Sequence, residues 1–545
     1  MNDLIELREK VKITVDSNHN DESHSSTKYT ALPSSSSAID ITTSKKINPP
    51  RWNTLEFYFY YLVFAICVPM MFKIAIDLSK DSHPNYPLYA KRLQKGWIFG
   101  RKVDNSDAQF ASLRDNYPVL AIALVGYLIL SHIYRLFFIP RAPIKQPSQH
   151  LGRAYFFLGF ALIFKGSKIN IVLTWMFNLV VIFCNDHYNG YAFSMIDERL
   201  AFLDKNQGQM KRWFITFNIC MLRMVSYNMD YYWSFHHNNV GLNERNDRDH
   251  APLTIKDRIK HSCFPGDYNY VYYLSYILYT PLYMAGPILT YNDYISQLRY
   301  PHKINIKATF LYGIRLIAAV LGMELMLHYI YVVAISQSRA WIGDTPAQLS
   351  MIGYFNLKLI WLKLLIIWRF FRFWAMADGM EVAENMTRCM SNNYSAQGFW
   401  RSWHRSFNLW NIRYIYIPLG GSKRQILNIL IVFTFVALWH DISLRLLAWS
   451  WLIWLFILPE SFAQKIFLIK KWDKTPYYRH ICAAGGVFNI LMMMIANLVG
   501  FSVGLDGLKD LLTQIFLTIH ALFVGVQIMF EIREEEARKN INTKG

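Results

Sequence analysis

Two histidines in the C-terminal half of the chain are the residues best suited to chemistry. His404 lies in the segment FWRSWHRSFNLWNIRYIYIPLGGS, and His440 lies in FTFVALWHDISLRLLAWSWL, inside a long apolar run. An imidazole in an apolar environment costs free energy unless it is hydrogen-bonded or used in a reaction. A neutral imidazole can take a proton from a hydroxyl, and burial favours the neutral form. The alternative is a core histidine bonded to a carbonyl, but a second histidine in an unusual Arg- and Trp-rich segment favours chemistry.

The segment around His404 forms two stripes if residues 400–412 are taken as one helix. An aromatic stripe then contains Trp403, Phe407 and Trp410, and an adjacent polar stripe contains His404, Asn408 and Asn411. Arg401 and Arg405 pair at i, i+4 spacing. Two interpretations stay open: an interfacial helix whose Trp and Arg residues lie at the headgroups, and a re-entrant helix that projects His404 and Asn408 into an enclosed site.

A turn is predicted between the two histidines. It is built from Pro418, Gly420, Gly421, Lys423 and Arg424. The proline ends regular structure, the glycines permit positive φ, and the basic pair returns the chain to water. A helix that begins near residue 426 then places His440 well past the bilayer centre, close to the opposite face. Asp441 follows immediately and would point elsewhere on a helix, so it is not predicted to be a partner.

Composition indicates a polytopic membrane protein of all-α class. Of the 545 residues 53% are hydrophobic and only 17% are charged, whereas soluble proteins carry about a quarter charged residues. The net charge of +19 comes from basic residues scattered along loops and helix ends. Anionic lipid surfaces explain this pattern better than nucleic acid does. The six cysteines are dispersed, so neither a disulfide framework nor a metal site is predicted.

The chain divides into three predicted parts. Residues 1–50 are rich in Ser, Thr, Asn and Asp and are predicted to be a disordered tail. Residues 51–535 are predicted to be the membrane domain, and residues 536–545 a charged tail that continues the last helix. The predicted spans, about eleven crossings, lie near 55–76, 118–138, 151–165, 169–185, 268–290, 309–335, 350–374, 425–440, 445–460, 481–503 and 510–530. Residues 211–232 are predicted to be a partly embedded helix that faces the interior.

Three further polar residues lie in apolar segments. Glu324 and His328 are spaced i, i+4 within a predicted span. They are interpreted as a structural hydrogen-bonded pair, with a proton relay or a metal pair as the alternatives. Asp378, in FWAMADG, is predicted to cap the end of a membrane helix.

Several segments resemble a known family. WHRSFNLWNIRYIYIPLGGS followed by WH in an apolar run resembles the membrane-bound O-acyltransferase family, whose upstream segments YILYTPLYMAGPILTYNDY and LRMVSYNMDYYW fit. The fungal glycerol uptake protein branch, related to hedgehog acyltransferase, is similar in GWIFGRKVDNSD, SMIGYFNLKLIWLKLLIIWRFFRFWAMADG, ENMTRCM and VQIMFEIREEE. The resemblance covers about residues 50–535.

The resemblance implies a fold and a reaction. The fold is a ring of about 11 tilted transmembrane helices, with re-entrant helices, around a central tunnel that joins both membrane faces. The reaction is transfer of a long or very long acyl chain from acyl-CoA to a lyso glycosylphosphatidylinositol (GPI) lipid, or to a GPI-anchored protein. The implied location is the endoplasmic reticulum membrane, with the plasma membrane as a second one. The family's essential histidine maps onto His440, and its upstream polar position maps onto His404.

This reaction assigns roles to the site residues. A CoA thioester is already activated, so a base at the acceptor hydroxyl and a partner for the developing oxyanion suffice. His440 is the predicted base and His404 its orienting or oxyanion partner, assisted by Asn408. The predicted ligands of substrate are Asn408, Trp403, Arg401, Arg405 and Arg413, the arginines being candidates for CoA phosphates. No cofactor is predicted besides acyl-CoA as co-substrate.

Two other functions remain open from the sequence. A glycerol–proton symporter, which the name of the branch suggests, needs an intramembrane carboxylate, and Glu324 is the candidate. A non-enzymatic membrane scaffold needs neither Glu324 nor His440.

Overall fold

The described part of the chain folds almost wholly into helices. A computed structural model describes residues 49–138, 168–188, 192–195, 197–205, 214–236, 254–301, 304–467, 475, 477–501 and 519–542. Its helices in chain order are α1 Leu55–Leu78, α2 Tyr86–Tyr89, α3 Ala108–Asp115, α4 Tyr117–Phe138, α5 Lys168–Tyr188, α6 Ala201–Lys205, α7 Phe214–His236, α8 Ile255–Lys260, α9 Tyr270–Ile277, α10 Thr280–Tyr283, α11 Tyr291–Arg299, α12 Ile306–Tyr329, α13 Val332–Gln337, α14 Pro346–Ala377, α15 Ala396–Ser402, α16 Arg405–Asn411, α17 Gln425–His440, α18 Leu444–Ile466, α19 Tyr478–Phe501 and α20 Ile519–Asn542.

Shorter elements join some of these helices. A two-stranded antiparallel hairpin, β1 Gln94–Lys95 and β2 Lys102–Val103, pairs Gln94 with Val103. A π-helical turn, Ile412–Tyr416, extends α16, and a 3₁₀ turn, Gly421–Arg424, leads into α17. The remaining 3₁₀ turns are Ala90–Arg92, Phe193–Met195, Glu198–Leu200 and Pro265–Asp267.

Local sequence signals fix where the long helices begin. The side chain of Thr54 accepts a hydrogen bond from the backbone N–H of Phe57 at the start of α1. Thr345 and Gln348 form a reciprocal capping box ahead of α14, with Pro346 in its first turn. Asp378 is the C-cap residue of α14 and accepts hydrogen bonds from Ser131 and Tyr279. The prediction that Asp378 ends a membrane helix is therefore confirmed.

Seven helices are long and apolar enough to cross a membrane, or eight if the pair α3–α4, bent by 54°, counts as one span. The described residues therefore form a polytopic all-α membrane protein, as predicted, with fewer spans than the eleven expected. The predicted span 151–165 and the N-terminal tail lie outside the described residues. The C-terminal charged segment continues helix α20 as far as Asn542, which confirms that prediction.

One predicted span, 268–290, is wrong. The chain there forms the short helices α9 and α10. Pro281 cannot donate a backbone hydrogen bond, and its ring clashes with a continuing helix. The buried guanidinium of Arg223, on α7, donates hydrogen bonds to the carbonyl oxygens of Tyr276 and Ile277, at 2.8 and 2.6 Å. A cation supplied by another helix thus satisfies backbone groups that an unbroken helix would have satisfied itself.

Neighbouring long helices pack on one another in a continuous series. Helix α17 packs on α18, α18 on α19, α19 on α20, α20 on α1, α1 on α14 and α14 on α12. Helix α7 packs on α5, α9, α10 and α11 and on the π-helical turn. Its residues from Met221 to Tyr231 are buried apart from Met224, which confirms the prediction of a helix facing the interior.

The short helices α15 and α16 pack against several of these long helices. Helix α15 contacts α18 and α19. Helix α16 contacts α7 through Trp410, whose Nε1 donates to the Leu222 carbonyl and the Ser226 hydroxyl. It contacts α17 through Phe407. Contacts on several sides are those of an enclosed re-entrant segment. The interfacial alternative for this segment is therefore disfavoured. The tunnel implied by the resemblance stays a prediction.

Candidate functional site

His440 is the last residue of helix α17. The next residue, Asp441, is extended, with φ −174° and ψ 145°. The turn before α17 is as predicted, with φ of 100° at Gly420 and 55° at Gly421. His440 therefore lies at the far end of a candidate span that runs from Gly421, while its depth in the bilayer stays a prediction. Its ring remains exposed and contacts Trp439, Phe407 and Trp449.

His404 interrupts the helix that the sequence predicts over residues 400–412. Helix α15 ends at Ser402 and α16 begins at Arg405, and His404 between them has φ 45° and ψ 50°. The left-handed conformation is unfavourable for a residue other than glycine and persists only where the surroundings hold it. The continuous helix and its two stripes are therefore wrong at this point: Trp403 belongs to the break, while Phe407 and Trp410 still stack within α16.

Asn385 holds the break from another part of the chain. Its carbonyl oxygen accepts the N–H of Arg405, and its side-chain oxygen accepts the N–H of Ser406, both at 3.0 Å. These are the first two N–H groups of α16, and a residue at the N-cap position normally accepts one of the first-turn N–H groups with its own side chain. His404 occupies that position and makes no capping bond. Asn385 is fully buried, and by capping α16 it leaves the imidazole available for other contacts.

We expect Asn385→Ala to lower the turnover of any reaction that uses His404. The cap itself contributes about 1 kcal/mol, and without it the left-handed backbone at His404 can relax. Asn385→Asp keeps the side-chain oxygen and should retain more activity than the alanine variant. Turnover and thermal stability measured on both variants check this. Equal turnover in Asn385→Ala and wild type would show that the cap does not position His404.

The two histidines approach each other across aromatic rings. The centroid of the Phe407 ring lies 5.1 Å from that of His404 and 6.5 Å from that of His440. The Trp439 ring also contacts both imidazoles, at 6.3 and 4.9 Å. Trp439 is fixed by Asn218, which accepts its indole N–H through the backbone and donates to its carbonyl. The pair predicted from sequence is therefore brought together by residues of α7, α16 and α17.

The ring of His404 is held on its other side by Trp368. The two rings stack at 4.3 Å with an angle of 20° between their planes, and Trp368 is buried on α14. Burial, with a smaller contribution from the neighbouring His440, lowers the pKa of His404 below its usual value. A neutral His404 can accept a hydrogen bond at one ring nitrogen and donate one at the other. This is the form that an orienting or oxyanion role requires.

The other predicted site residues lie near the break but differ in surroundings. Trp403 stacks on Phe399, with 5.4 Å between ring centroids. Asn408 is half-buried, and its backbone N–H donates to the carbonyl of His404. Arg405 is half-buried, whereas Arg401 is exposed. Their roles toward substrate stay predictions.

Arg413 has a partner inside the protein. Its guanidinium donates two hydrogen bonds, of 2.8 and 3.2 Å, to the carboxylate of Asp230 and lies over the ring of Trp233. The same carboxylate accepts the hydroxyl of Tyr414 and the N–H of Asn292. This network ties the π-helical turn to α7 and the start of α11. The geometry therefore favours a structural role for Arg413 over the predicted contact with CoA phosphates.

Three residues that sequence reasoning missed contribute to the site. Asn385, Trp368 and Asp230 come from the segment after α14, from α14 and from α7, all distant from His404 in sequence. For Asp230 a signal existed, because a carboxylate in a largely apolar helix requires a partner. For Asn385 and Trp368 no local pattern in the sequence distinguishes them from other buried residues.

Glu324 and His328 are locked in a hydrogen-bond network. Arg114 donates to both carboxylate oxygens of Glu324, at 2.7 and 2.8 Å, and Trp97 donates its indole N–H to one of them. The His328 ring bonds the Glu324 carbonyl through Nδ1 and accepts the Trp97 N–H through Nε2. These contacts support the structural interpretation of the pair.

The fold and the site together define a class: a polytopic membrane protein whose two histidines meet at the end of one span and at a break in a re-entrant segment. The profile of the membrane-bound O-acyltransferase family matches residues 203–504, which include both histidines. Membrane-bound O-acyltransferase GUP1 of Saccharomyces cerevisiae is 43% identical, over 93% of this chain and 95% of that protein. Membrane-bound O-acyltransferase GUP2 of the same yeast is 39% identical, over 94% and 92%.

A more distant similarity extends over part of the chain. Protein-cysteine N-palmitoyltransferase HHAT of Mus musculus is 27% identical over 36% of this chain and 42% of that protein. The chain belongs to the membrane-bound O-acyltransferase family, and the predicted family, fold class and acyltransferase activity are confirmed.

Proposed function

We propose that this acyltransferase moves a long or very long acyl chain from acyl-CoA to a hydroxyl of a lyso-GPI lipid, with His440 as the general base. The observation that carries the proposal is the meeting of His404 and His440 around Phe407 and Trp439. His404 is half-buried and His440 is exposed, which leaves both residues open to a substrate. A neutral base beside a second nitrogen donor is what acyl transfer to a hydroxyl requires.

The proposed reaction proceeds without a covalent enzyme intermediate. His440 takes the proton of the acceptor hydroxyl as its oxygen attacks the thioester carbonyl. His404 donates a hydrogen bond to the oxyanion that forms. When the carbonyl re-forms, the C–S bond breaks and the CoA thiolate leaves, taking the proton from His440. The products are the acyl ester and free CoA, so no cofactor is needed besides the co-substrate.

The proposed acceptor and membrane are those that the resemblance to the fungal branch implies. A lyso-GPI lipid is the proposed acceptor, with a GPI-anchored protein carrying the same lyso lipid as the second candidate. The proposed location is the endoplasmic reticulum membrane, with the plasma membrane as the second. The site supports an acceptor of this kind because a base at a membrane-helix end can meet a hydroxyl near the headgroups while the acyl chain stays in lipid.

The test is a transfer assay with the purified full-length protein in nanodiscs. Labelled acyl-CoA of several chain lengths is offered with lyso-GPI lipid, and the acylated lipid and released CoA are measured together. Equal amounts of both products that depend on the acceptor support the proposal. CoA release without acylated lipid, or acyl transfer only to other lysolipids, would contradict the proposed acceptor.

The symporter alternative rests on Glu324, and the structure pairs that carboxylate with Arg114. We expect Glu324→Gln to destabilise the protein by roughly 1–3 kcal/mol, because Arg114 loses its charged partner, while acyl transfer per folded molecule is retained. Glycerol uptake, acyl transfer and thermal stability measured on this variant check the expectation. Proton-coupled glycerol uptake that disappears in a folded Glu324→Gln protein would instead favour transport.

A further inference from the structure

The β1–β2 hairpin, residues 94–103, presents two aromatic side chains outward beside basic residues. Trp97 is 64% exposed and Phe99 is 89% exposed. From Tyr86 to Val103 the chain contains five basic residues, Lys91, Arg92, Lys95, Arg101 and Lys102, and no acidic one. We propose that this hairpin is a membrane-surface anchor that inserts Trp97 and Phe99 among the headgroups of an anionic phospholipid leaflet.

The turn of the hairpin holds Phe99 outward at a cost in backbone energy. The N–H of Arg101 donates to the carbonyl of Ile98 at 3.0 Å, and the two residues between them, Phe99 and Gly100, have φ of 45° and 69°. Positive φ at both central positions is the pattern of a type I′ turn, where Asn, Asp or Gly normally occupies the first position. A bulky aromatic residue there is an outlier. Exposure of an apolar ring to water does not stabilise the protein, so a partner outside the chain would account for the backbone strain at Phe99.

The hairpin is attached to one end of a candidate membrane span. The indole N–H of Trp97 donates to Glu324, and the guanidinium of Arg101 donates to the carbonyl of His328 and lies over the ring of Tyr329, the last residue of α12. A Cβ added to Gly96 would come within 2.6 Å of the His328 ring. The hairpin backbone at Gly96 therefore packs so close to His328 that no larger residue fits there. The end of a span lies at the membrane–water interface, where Trp and basic residues concentrate.

The basic side chains around the hairpin indicate an anionic lipid as the partner. Lys91 and Lys95 are exposed. The contacts that Arg92 makes are to the neutral groups of Ser338 and Gln337, and Lys102 lies over the ring of Tyr86. Lys91, Lys95 and Arg92 therefore keep their charge available to phosphate headgroups. Exposed aromatic rings flanked by such charges are the combination that binds anionic membrane surfaces.

The experiment uses the full-length protein with benzoylphenylalanine introduced in place of Phe99. Nanodiscs are prepared from phosphatidylcholine alone and from equal parts phosphatidylcholine and phosphatidylserine, and the adducts formed on illumination are identified by mass spectrometry. We expect phospholipid adducts in both, with a several-fold higher yield when phosphatidylserine is present. The double variant Lys91→Gln with Lys95→Gln should remove that increase.

A matched control changes the same charge elsewhere. Lys307→Gln with Lys465→Gln also removes two exposed lysines, the first at the opposite end of α12, and should leave the adduct yield unchanged. Thermal stability of both double variants confirms that each is folded. Absence of lipid adducts at position 99 would overturn the anchor. A yield that is equal in both lipid compositions would overturn its preference for anionic lipid.

Discussion

His440→Ala is expected to reduce acyl transfer by roughly 10²- to 10⁴-fold, the usual contribution of a general base. The acceptor hydroxyl then keeps its proton in the attack on the thioester, because the side chains that contact the imidazole, Phe407, Trp439 and Trp449, cannot accept that proton. The ring is exposed at the end of α17, so its removal should change thermal stability little. Turnover in nanodiscs, at matched amounts of folded protein, measures the effect.

His132→Ala is the matched control for this loss. His132 is also exposed on a membrane helix, and its ring bonds only the carbonyl of Leu128 one turn earlier in α4, among the hydrogen bonds seen in the described residues. Its replacement removes an imidazole without touching the site and should leave turnover within about twofold. The free energy of unfolding should change by no more than about 0.5 kcal/mol, as for most surface substitutions. Equal activity in His440→Ala and wild type would contradict the proposed mechanism and return attention to the symporter and scaffold functions.

Arg413→Ala is expected to destabilise the protein by about 3–5 kcal/mol, as the loss of one partner from a buried ion pair does. The carboxylate of Asp230 is fully buried and would keep only the Tyr414 hydroxyl and the Asn292 N–H. Within this network the π-helical turn that follows α16 would then be tied to α7 by the Tyr414 hydroxyl alone, so the half of the site that carries His404 would be disturbed too. Thermal stability and the yield of monodisperse protein measure this loss.

The same variant separates the two roles considered for Arg413. If the guanidinium served mainly to bind CoA phosphates, Arg413→Ala would fold normally and show a raised KM for acyl-CoA. Arg413→Lys is the conservative comparison: it retains the charge but loses the paired geometry of two N–H donors, and we expect an intermediate loss of stability. A stable Arg413→Ala protein with altered KM alone would contradict the structural assignment. Arg405→Ala, near the same break, tests the phosphate role without the Asp230 partner.

Signals that act within a few residues were predictable. Long apolar runs indicated the membrane class and most of the spans, because a helix in lipid satisfies its own backbone groups. Pro418 and the glycines at 420 and 421 indicated the turn before α17, and the length of the run after it placed His440 at the far end of the span. The family motifs likewise lie in contiguous segments, so both histidines were recognisable without a structure.

The arrangement of the site depends on contacts between distant segments. The break at His404 is stabilised by Asn385, which lies 21 residues from Ser406, and the partner of Arg413 is 183 residues away. The short helices in the predicted span 268–290 likewise depend on Arg223, 53 residues before Tyr276. A helical periodicity cannot contain these partners. The sequence by itself determined the membrane class, the family and the two histidines. The packing of α7, α14 and α16 decided the backbone conformation of His404 and the role of Arg413. The reason is that buried polar groups bond to whichever partner the fold brings within reach.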